Sequence, residues 1–315
     1  MNTIDLSDTT AWHGACVLDH LGVIEAAGAD AAAFLHGQLS QDTLQLQPGR
    51  PALAAYCSPK GRMLATMWAW RVDDDRIWLV MDRSLLQQTL KRLSMFVLRA
   101  KCKLTDQSAA LTVLGLALPA THAPADAASA LPEGFAPLPG HASTAAGTQL
   151  ACAVMPADAA ATAAAALPAL TAAQWDWLAV LTGVPHITAA TADQFVPQMV
   201  NFEVLGGVNF RKGCYPGQEV VARSQYRGTL KRRLFLAQGH APMQPGQEVF
   251  SAADPGQPAG MVVNAAASPA QADGSVLALI ELKLAAQDAA LHLGSDQGPA
   301  LVLQPLPYEV RSDET

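Results

Sequence analysis

The stretch that most restricts what this chain can become runs from Asn209 to Arg233, NFRKGCYPGQEVVARSQYRGTLKRR. Within it Cys214 stands between a glycine and a tyrosine, the turn-forming pair Pro216-Gly217 follows at once, and Gln218 to Arg223 reads as the start of a helix. Gly213 and Gly217 let the backbone take positive φ and approach a neighbour closely. The chain must therefore bend, carry a thiol and begin a helix within a few residues. Charge also sets the stretch apart. It holds seven Lys or Arg (Arg211, Lys212, Arg223, Arg227, Lys231, Arg232, Arg233) and one acid, Glu219, in a chain of formal net charge −7. A basic island on an acidic background points to a local anionic partner. The acidity of the whole argues against a protein that coats nucleic acid or membrane, so no direct nucleic-acid binding is expected.

At 315 residues the chain exceeds one typical core, and two or three domains are expected. Five cysteines (Cys16, Cys57, Cys102, Cys152, Cys214) are scattered and form no CxxC pair, which excludes a disulfide framework and a zinc knuckle and fits reduced thiols. The N-terminus MNTIDLSDTTAWHGA has neither the basic start nor the apolar core of a signal peptide, and no apolar run is long enough for a bilayer. A soluble, cytoplasmic protein without a membrane partner is expected.

In chain order, residues 15 to 27 read as one or two strands, and Asp30 as the cap of a helix through Phe34, Leu35 and Gln38. PALAAYCSPKGRMLATMWAW reads as a hairpin around Ser58-Pro59-Lys60-Gly61, and Asp73-Asp74-Asp75 as a solvated turn into RIWLVMD. Ser84 and Gln87 have capping-box spacing before Leu86, Leu90, Leu93 and Val97 at helical intervals. The basic strand LRAKCKLTD follows. Residues 117 to 172, rich in Ala, Pro, Thr and Gly, read as loops and short edge elements, with GTQLACAVMP as a strand and His122 and His141 as surface histidines. Thr171 and Gln174 form a second capping box for a helix with Trp175, Leu178 and Leu181 on one face, stopped by Gly183 before Pro185. His186, just after, reads as structural. From Leu234 on, short strands separated by Gly, Pro or Asp turns read as a small all-β barrel. The mixture gives an α+β chain divided at 1–110, 111–233 and 234–315.

Cys214 lies before a turn and a helix N-terminus, near Lys212 and Arg223 in sequence, surroundings that favour a thiolate. A thiolate attacks electrophiles, forms mixed disulfides or ligates soft metal. Against this stands the plain alternative that cysteine is a small buried apolar residue and that Lys-Gly and Pro-Gly are ordinary turns. From the residues alone both readings stay open.

KGCYPGQEVVAR, Lys212 to Arg223, closely resembles the signature of the folate-binding YgfZ-type proteins, relatives of the glycine-cleavage aminomethyltransferase associated with assembly or repair of iron–sulfur clusters. The approach GVPHITAATADQFVPQMVNFEVLGGVNF and the exit YRGTLKRRLF resemble the same family, as do FLHGQLSQD and AAYCSPKGRML near the N-terminus. The resemblance implies a three-part ring of the aminomethyltransferase type ending in an antiparallel β-barrel, with tetrahydrofolate in a central channel. It implies that Lys212, Tyr215, Gln218, Glu219 and Arg223 line or support the pocket, that Arg227 meets the glutamate tail, and that Gln198 and Asn201 stand behind them. Tyr215 would offer a ring to the pterin and Glu219 a carboxylate to its amino edge. Cys214 becomes the functional thiol and a candidate transient ligand of an iron–sulfur cluster; no resident metal site is expected. The partners implied are iron–sulfur client enzymes or assembly proteins. The chain departs from the aminomethyltransferase branch at two places. Gly61 is followed by Arg62, Met63 and Leu64 where that branch has paired aspartates, and Leu181 and Thr182 precede Gly183 where it has an acid. Aminomethyl transfer is therefore not expected, and a one-carbon transferase or a non-catalytic folate-binding scaffold are the alternatives.

Overall fold

The computed structural model describes residues 12–119, 131–226, 230–269 and 274–310. Three β-structures share one molecule. The first is a five-stranded antiparallel sheet in the order β3-β4-β5-β2-β6, built from β2 (Leu21–Ala27), β3 (Ala52–Cys57), β4 (Met63–Arg71), β5 (Arg76–Asp82) and β6 (Lys103–Asp106). The helix α1 (Ala31–His36) follows β2, and α2 (Arg83–Val97) packs on the sheet through its apolar stripe, Leu85, Leu86 and Leu93. The hairpin expected around Ser58 to Gly61 joins β3 to β4.

The second sheet, in the order β1-β7-β9-β8, contains β1 (Gly14–Val17), β7 (Leu111–Leu118), β8 (Ala136–Pro137) and β9 (Gln149–Pro156). Its first strand comes from the N-terminal segment, so the chain crosses between sheets at both ends of the first one. On one face lies α3 (Ala157–Ala165), where Ala160 packs on Leu114 and Ala153. On the other lies α4 (Ala172–Leu181), whose Trp175 ring occupies the space above Gly115; a Cβ there would stand 2.5 Å from it. The third structure is a closed barrel, β10-β13-β12-β11-β14-β15, formed by β10 (Arg232–Gly239), β11 (Glu248–Ser251), β12 (Pro258–Ala267), β13 (Val276–Lys283), β14 (Leu291–Leu293) and β15 (Ala300–Gln304). Closure comes from β10, which pairs with β13 on one side and β15 on the other. The side chains of β10 alternate: Phe235 and Ala237 face the barrel core, and Leu234 and Leu236 join the core shared with the two sheets. The α+β architecture with a terminal barrel is thus as the sequence indicates.

Several local expectations change. Asp30 does not cap α1; its carboxylate accepts the Lys101 amide at 2.7 Å and ties the start of α1 to the approach to β6. The cap of α2 is Asp82, which accepts the Ser84 amide at 2.9 Å, while Gln87 donates to Asp106 instead of closing a box. The helix begins earlier because a carboxylate at the cap position satisfies the same free amides. The box of Thr171 and Gln174 is present in α4. In the alanine-rich segment α3 was not anticipated. Nine residues with seven alanines have the highest helix propensity available and need little apolar area to dock. The helix α4 is buried on nearly every side, Trp177 and Val180 included, because it lies between the second sheet and the barrel. His122 is outside the described residues, and His141 is half-buried with its ring edge-on to Tyr308.

Candidate functional site

Two places carry chemistry, and they are separate. The first is the motif loop. Gly217 has φ +80°, and a Cβ on it would lie 2.4 Å from the Ser58 carbonyl oxygen. Gly61, at φ +74°, presents its backbone to Val220 in the same way. Two glycines therefore allow the turn of the β3–β4 hairpin to lie against the first turn of α5 (Gln218–Tyr226) with no side chain between. Cys214 stands just before this contact and is exposed, whereas Cys16, Cys57 and Cys152 are buried and Cys102 is half-buried. Burial pushes the Cys16 thiol up to about 11 and the Cys57 thiol to about 12, and it pushes Cys152 up further. Those thiols are inert packing.

Lys212 is buried, and its ammonium donates to the carbonyls of His36 and of Leu39, the latter at 2.9 Å. It also sits 4.8 Å from the centre of the Tyr215 ring. Burial lowers its pKa to about 8 against the opposing pull of Asp42 and Cys214. Tyr215 is buried, its hydroxyl has no protein partner, and burial pushes its phenol up. These two residues hold the loop, with the ammonium bonded to backbone carbonyls and the ring turned inward. Gln218 makes a long bond, 3.4 Å, to the Gly213 carbonyl. Glu219 and Arg223 are exposed and bonded to each other at 2.9 Å, an i,i+4 pair on the outer face of α5. Gln198 is fully buried and donates to the Val221 carbonyl at 2.8 Å. Asn201, also fully buried, bonds both backbone groups of Leu234. Both are joints between segments. Arg227 lies outside the described residues.

The second place is a cavity of about 260 Å³ walled by the first sheet, α4 and the barrel. The first sheet supplies Trp68, with His20 and Asp82 at the mouth of its strands; α4 supplies Trp175 and Asp176; the barrel supplies Asn264 and Leu279. The backbone of His186 is clamped to the barrel by Asn264, which accepts the His186 amide at 2.8 Å and donates to its carbonyl at 2.9 Å. The His186 ring stands edge-on to Trp68 with centroids 5.9 Å apart, and burial pulls its pKa down to about 4. Two polar atoms in the lining residues are buried without any protein partner: the Trp68 indole nitrogen and the Thr188 hydroxyl. A buried polar group without a partner is costly, and two of them belong to residues of this one lining. Asp176 adds a carboxylate whose pKa burial raises and His20 opposes.

Cys214 does not line this cavity. The loop packs at the turn end of β4, and Trp68 lies five residues further along the strand, roughly 17 Å at the rise of an extended chain. Among the described residues, none of the motif side chains expected at the cofactor lines this cavity. The lining residues were missed because no motif marks them. The usable signal was Asp176, a lone carboxylate between Trp175 and Trp177 in a helix that is otherwise Ala, Leu and Val with one glutamine. Among the described residues no group of three or more His, Cys, Asp or Glu could hold a metal ion, and no helix is long and apolar enough to cross a membrane.

The GCVT N-terminal domain matches residues 9–129. The tRNA-modifying protein YgfZ of Sodalis glossinidius is 32% identical over 311 residues, covering 93% of this chain and 92% of that protein. Its namesake from Klebsiella pneumoniae is 30% identical with the same coverage. Among solved structures, the glycine cleavage system aminomethyltransferase T of Bartonella henselae superposes with a TM-score of 0.68 at 18% identity, over 97% of this chain and 90% of that one, a likeness of fold.

Proposed function

This chain belongs to the YgfZ family, and from that premise we propose that it binds a tetrahydrofolate by its pterin in the cavity between the first sheet, α4 and the barrel, and uses Cys214 as a functional thiol in assembly or repair of iron–sulfur clusters. The observation that carries the reading is the lining itself: Trp68 and Thr188, each with a polar atom that has no protein partner, stand together with the Trp175 ring and the Asp176 carboxylate around one cavity. A pterin is flat, carries acceptor atoms for an indole N–H and a hydroxyl, and has an amino-amide edge that a carboxylate pairs with bidentately. At about 260 Å³ the cavity is just below the roughly 300–1,000 Å³ usual for whole small-molecule ligands. It suits the ring system, with the glutamate tail leading out. When bound, the cofactor supplies one-carbon or redox chemistry; the chain's own part is to enclose the ring and orient it.

One-carbon transfer to an amine is disfavoured. Arg62 stands where the transferases have acid, and its guanidinium is bonded to the Asp193 and Gln194 carbonyls. Leu181 is buried and apolar. A cluster handled at Cys214 would take its other ligands from a client protein, since no further cysteine is exposed. The relatives' name points the clients toward enzymes of tRNA modification.

Calorimetry with tetrahydrofolate under anaerobic conditions tests the cavity. Wild type should bind; Trp68→Phe, which removes one N–H, and Asp176→Asn should each weaken binding by about tenfold, the scale of one net hydrogen bond. The exposed change Arg223→Ala should leave affinity unaltered. No binding by wild type, or equal affinity in the Trp68 and Asp176 variants, rejects the assignment. For the thiol, loss of cluster-enzyme activity in cells carrying Cys214→Ser is expected, with the protein folded and folate still bound. Unchanged activity would leave a folate-binding scaffold.

A further inference from the structure

The grip of α1 on the motif loop brings in two residues with no role so far. His36 Nδ1 lies 3.0 Å from Asp42 Oδ1. A carboxylate on Nδ1 fixes that nitrogen as the donor and leaves Nε2 as an acceptor. Nε2 receives the Gly213 amide at 3.3 Å, the peptide N–H of the residue just before Cys214. The approach is close: a Cβ on Gly213 would stand 3.2 Å from the imidazole nitrogen. The main chain of His36 completes the grip, since its carbonyl and that of Leu39 hold the Lys212 ammonium at the C-terminal end of α1, where a cation is favoured. The cation sits within electrostatic reach of the cysteine and of Asp42. Side chain and backbone of one histidine thus bind both residues on the N-terminal side of an exposed thiol.

We propose that His36, oriented by Asp42, is the positioning residue for Cys214: by accepting the Gly213 amide it keeps the thiol beside the buried Lys212 ammonium, so that the site favours anionic sulfur partners. The inference rests on the reading of Cys214 as the functional thiol and adds the means by which it is presented. The ring meets the Asp42 carboxylate from its own loop and the Gly213 amide from the motif loop, while the Lys212 ammonium is bonded to the main-chain carbonyl of His36. The cation is the feature that discriminates between partners, because an ammonium held two residues before the cysteine by the His36 and Leu39 carbonyls adds positive potential at the bend. In the reaction the Cys214 thiol gives its proton to solvent. Its sulfur then attacks a disulfide, the disulfide's S–S bond breaks, a mixed disulfide forms, and the other half leaves as a thiolate.

The test compares two disulfides on the full-length protein at one pH: 5,5′-dithiobis(2-nitrobenzoate), which is anionic, and 4,4′-dithiodipyridine, which is neutral. Labelling at position 214 is confirmed by mass spectrometry. The anionic-to-neutral rate ratio should fall by about threefold in His36→Ala, the scale of one charge partly screened by water. His36→Gln should restore the ratio, because a glutamine oxygen can accept the same amide. A general loss of packing would change both rates together and would not be rescued. Should His36→Ala fail to fold, His36→Leu, which fills the space without an acceptor, must lower the ratio in the same direction. An unchanged ratio in either variant overturns the proposal, and so does a His36→Gln protein that behaves like His36→Ala. These rates need no cluster enzyme, so their failure is distinct from failure of Cys214→Ser to affect one.

Discussion

His186 shows how burial changes what a residue type implies. An ordinary histidine would titrate near neutrality, but this ring stands against Trp68 at the cavity wall and is held neutral down to about pH 4. The unfolded chain takes up the proton near pH 6.5, so the native state loses stability as pH falls through that point and on to about 4. Allowing for the part of the ring that faces the cavity, the loss is about 2 kcal/mol. Urea unfolding at pH 7 and pH 4.5 should show it, and His186→Phe should flatten that part of the slope; an unchanged slope would mean the ring is solvated. Lys212 and Tyr215 illustrate the same principle in the motif. Their chemical types suggested a cation and a ring offered to a ligand, but both are turned inward and spent on holding the loop. Cys214, for which the residues alone left a reactive and a buried reading open, is exposed on a tight bend before a helix.

The contact between the β3–β4 hairpin and α5 depends on two glycines back to back. Gly217→Ala puts a methyl 2.4 Å from a backbone oxygen and holds a side chain at φ +80°. The substitution should cost about 2–3 kcal/mol in chemical denaturation. It should also alter Cys214 labelling, since the loop ends at this glycine. A stability within 0.5 kcal/mol of wild type, roughly the spread of ordinary surface changes, would show that the elements can separate freely. The elements most legible in the sequence were those with local punctuation: the Ser-Pro-Lys-Gly hairpin, the Thr171 cap of α4, the start of α5 and the short strands of the barrel. The alanine helix α3 was not legible, because its composition resembles a linker and its small buried face leaves no periodic pattern.

Across the molecule, the joint between motif and barrel is polar. Arg233 is bonded to Glu203 in a mostly buried pair, and also donates to the Gln198 carbonyl at 3.2 Å, while Asn201 pairs with the backbone of Leu234. Glu203 is raised by burial and drawn back by Arg233. Arg233→Ala would strand that carboxylate, and unfolding free energy should fall by about 3–5 kcal/mol, with Glu203→Gln in the same chain recovering part of it. Full stability in Arg233→Ala would show that water reaches the joint. The basic run KRR in the exit of the motif, read as part of an anion-attracting island, thus divides: Arg233 is internal, and Arg232 is bonded to both oxygens of Glu281 at 2.7 Å. The amino-acid order alone determined the α+β class, the barrel, the tight cysteine bend and the absence of the transferase acids, because each depends on residues adjacent in the chain or on short-period patterning. Only tertiary structure decided that Trp68, Trp175, Asp176 and Thr188 share a cavity and that His36 meets Gly213. Those meetings join residues more than a hundred positions apart, and what brings them together is the packing of sheets, helix and barrel, which leaves no spacing along the chain to read.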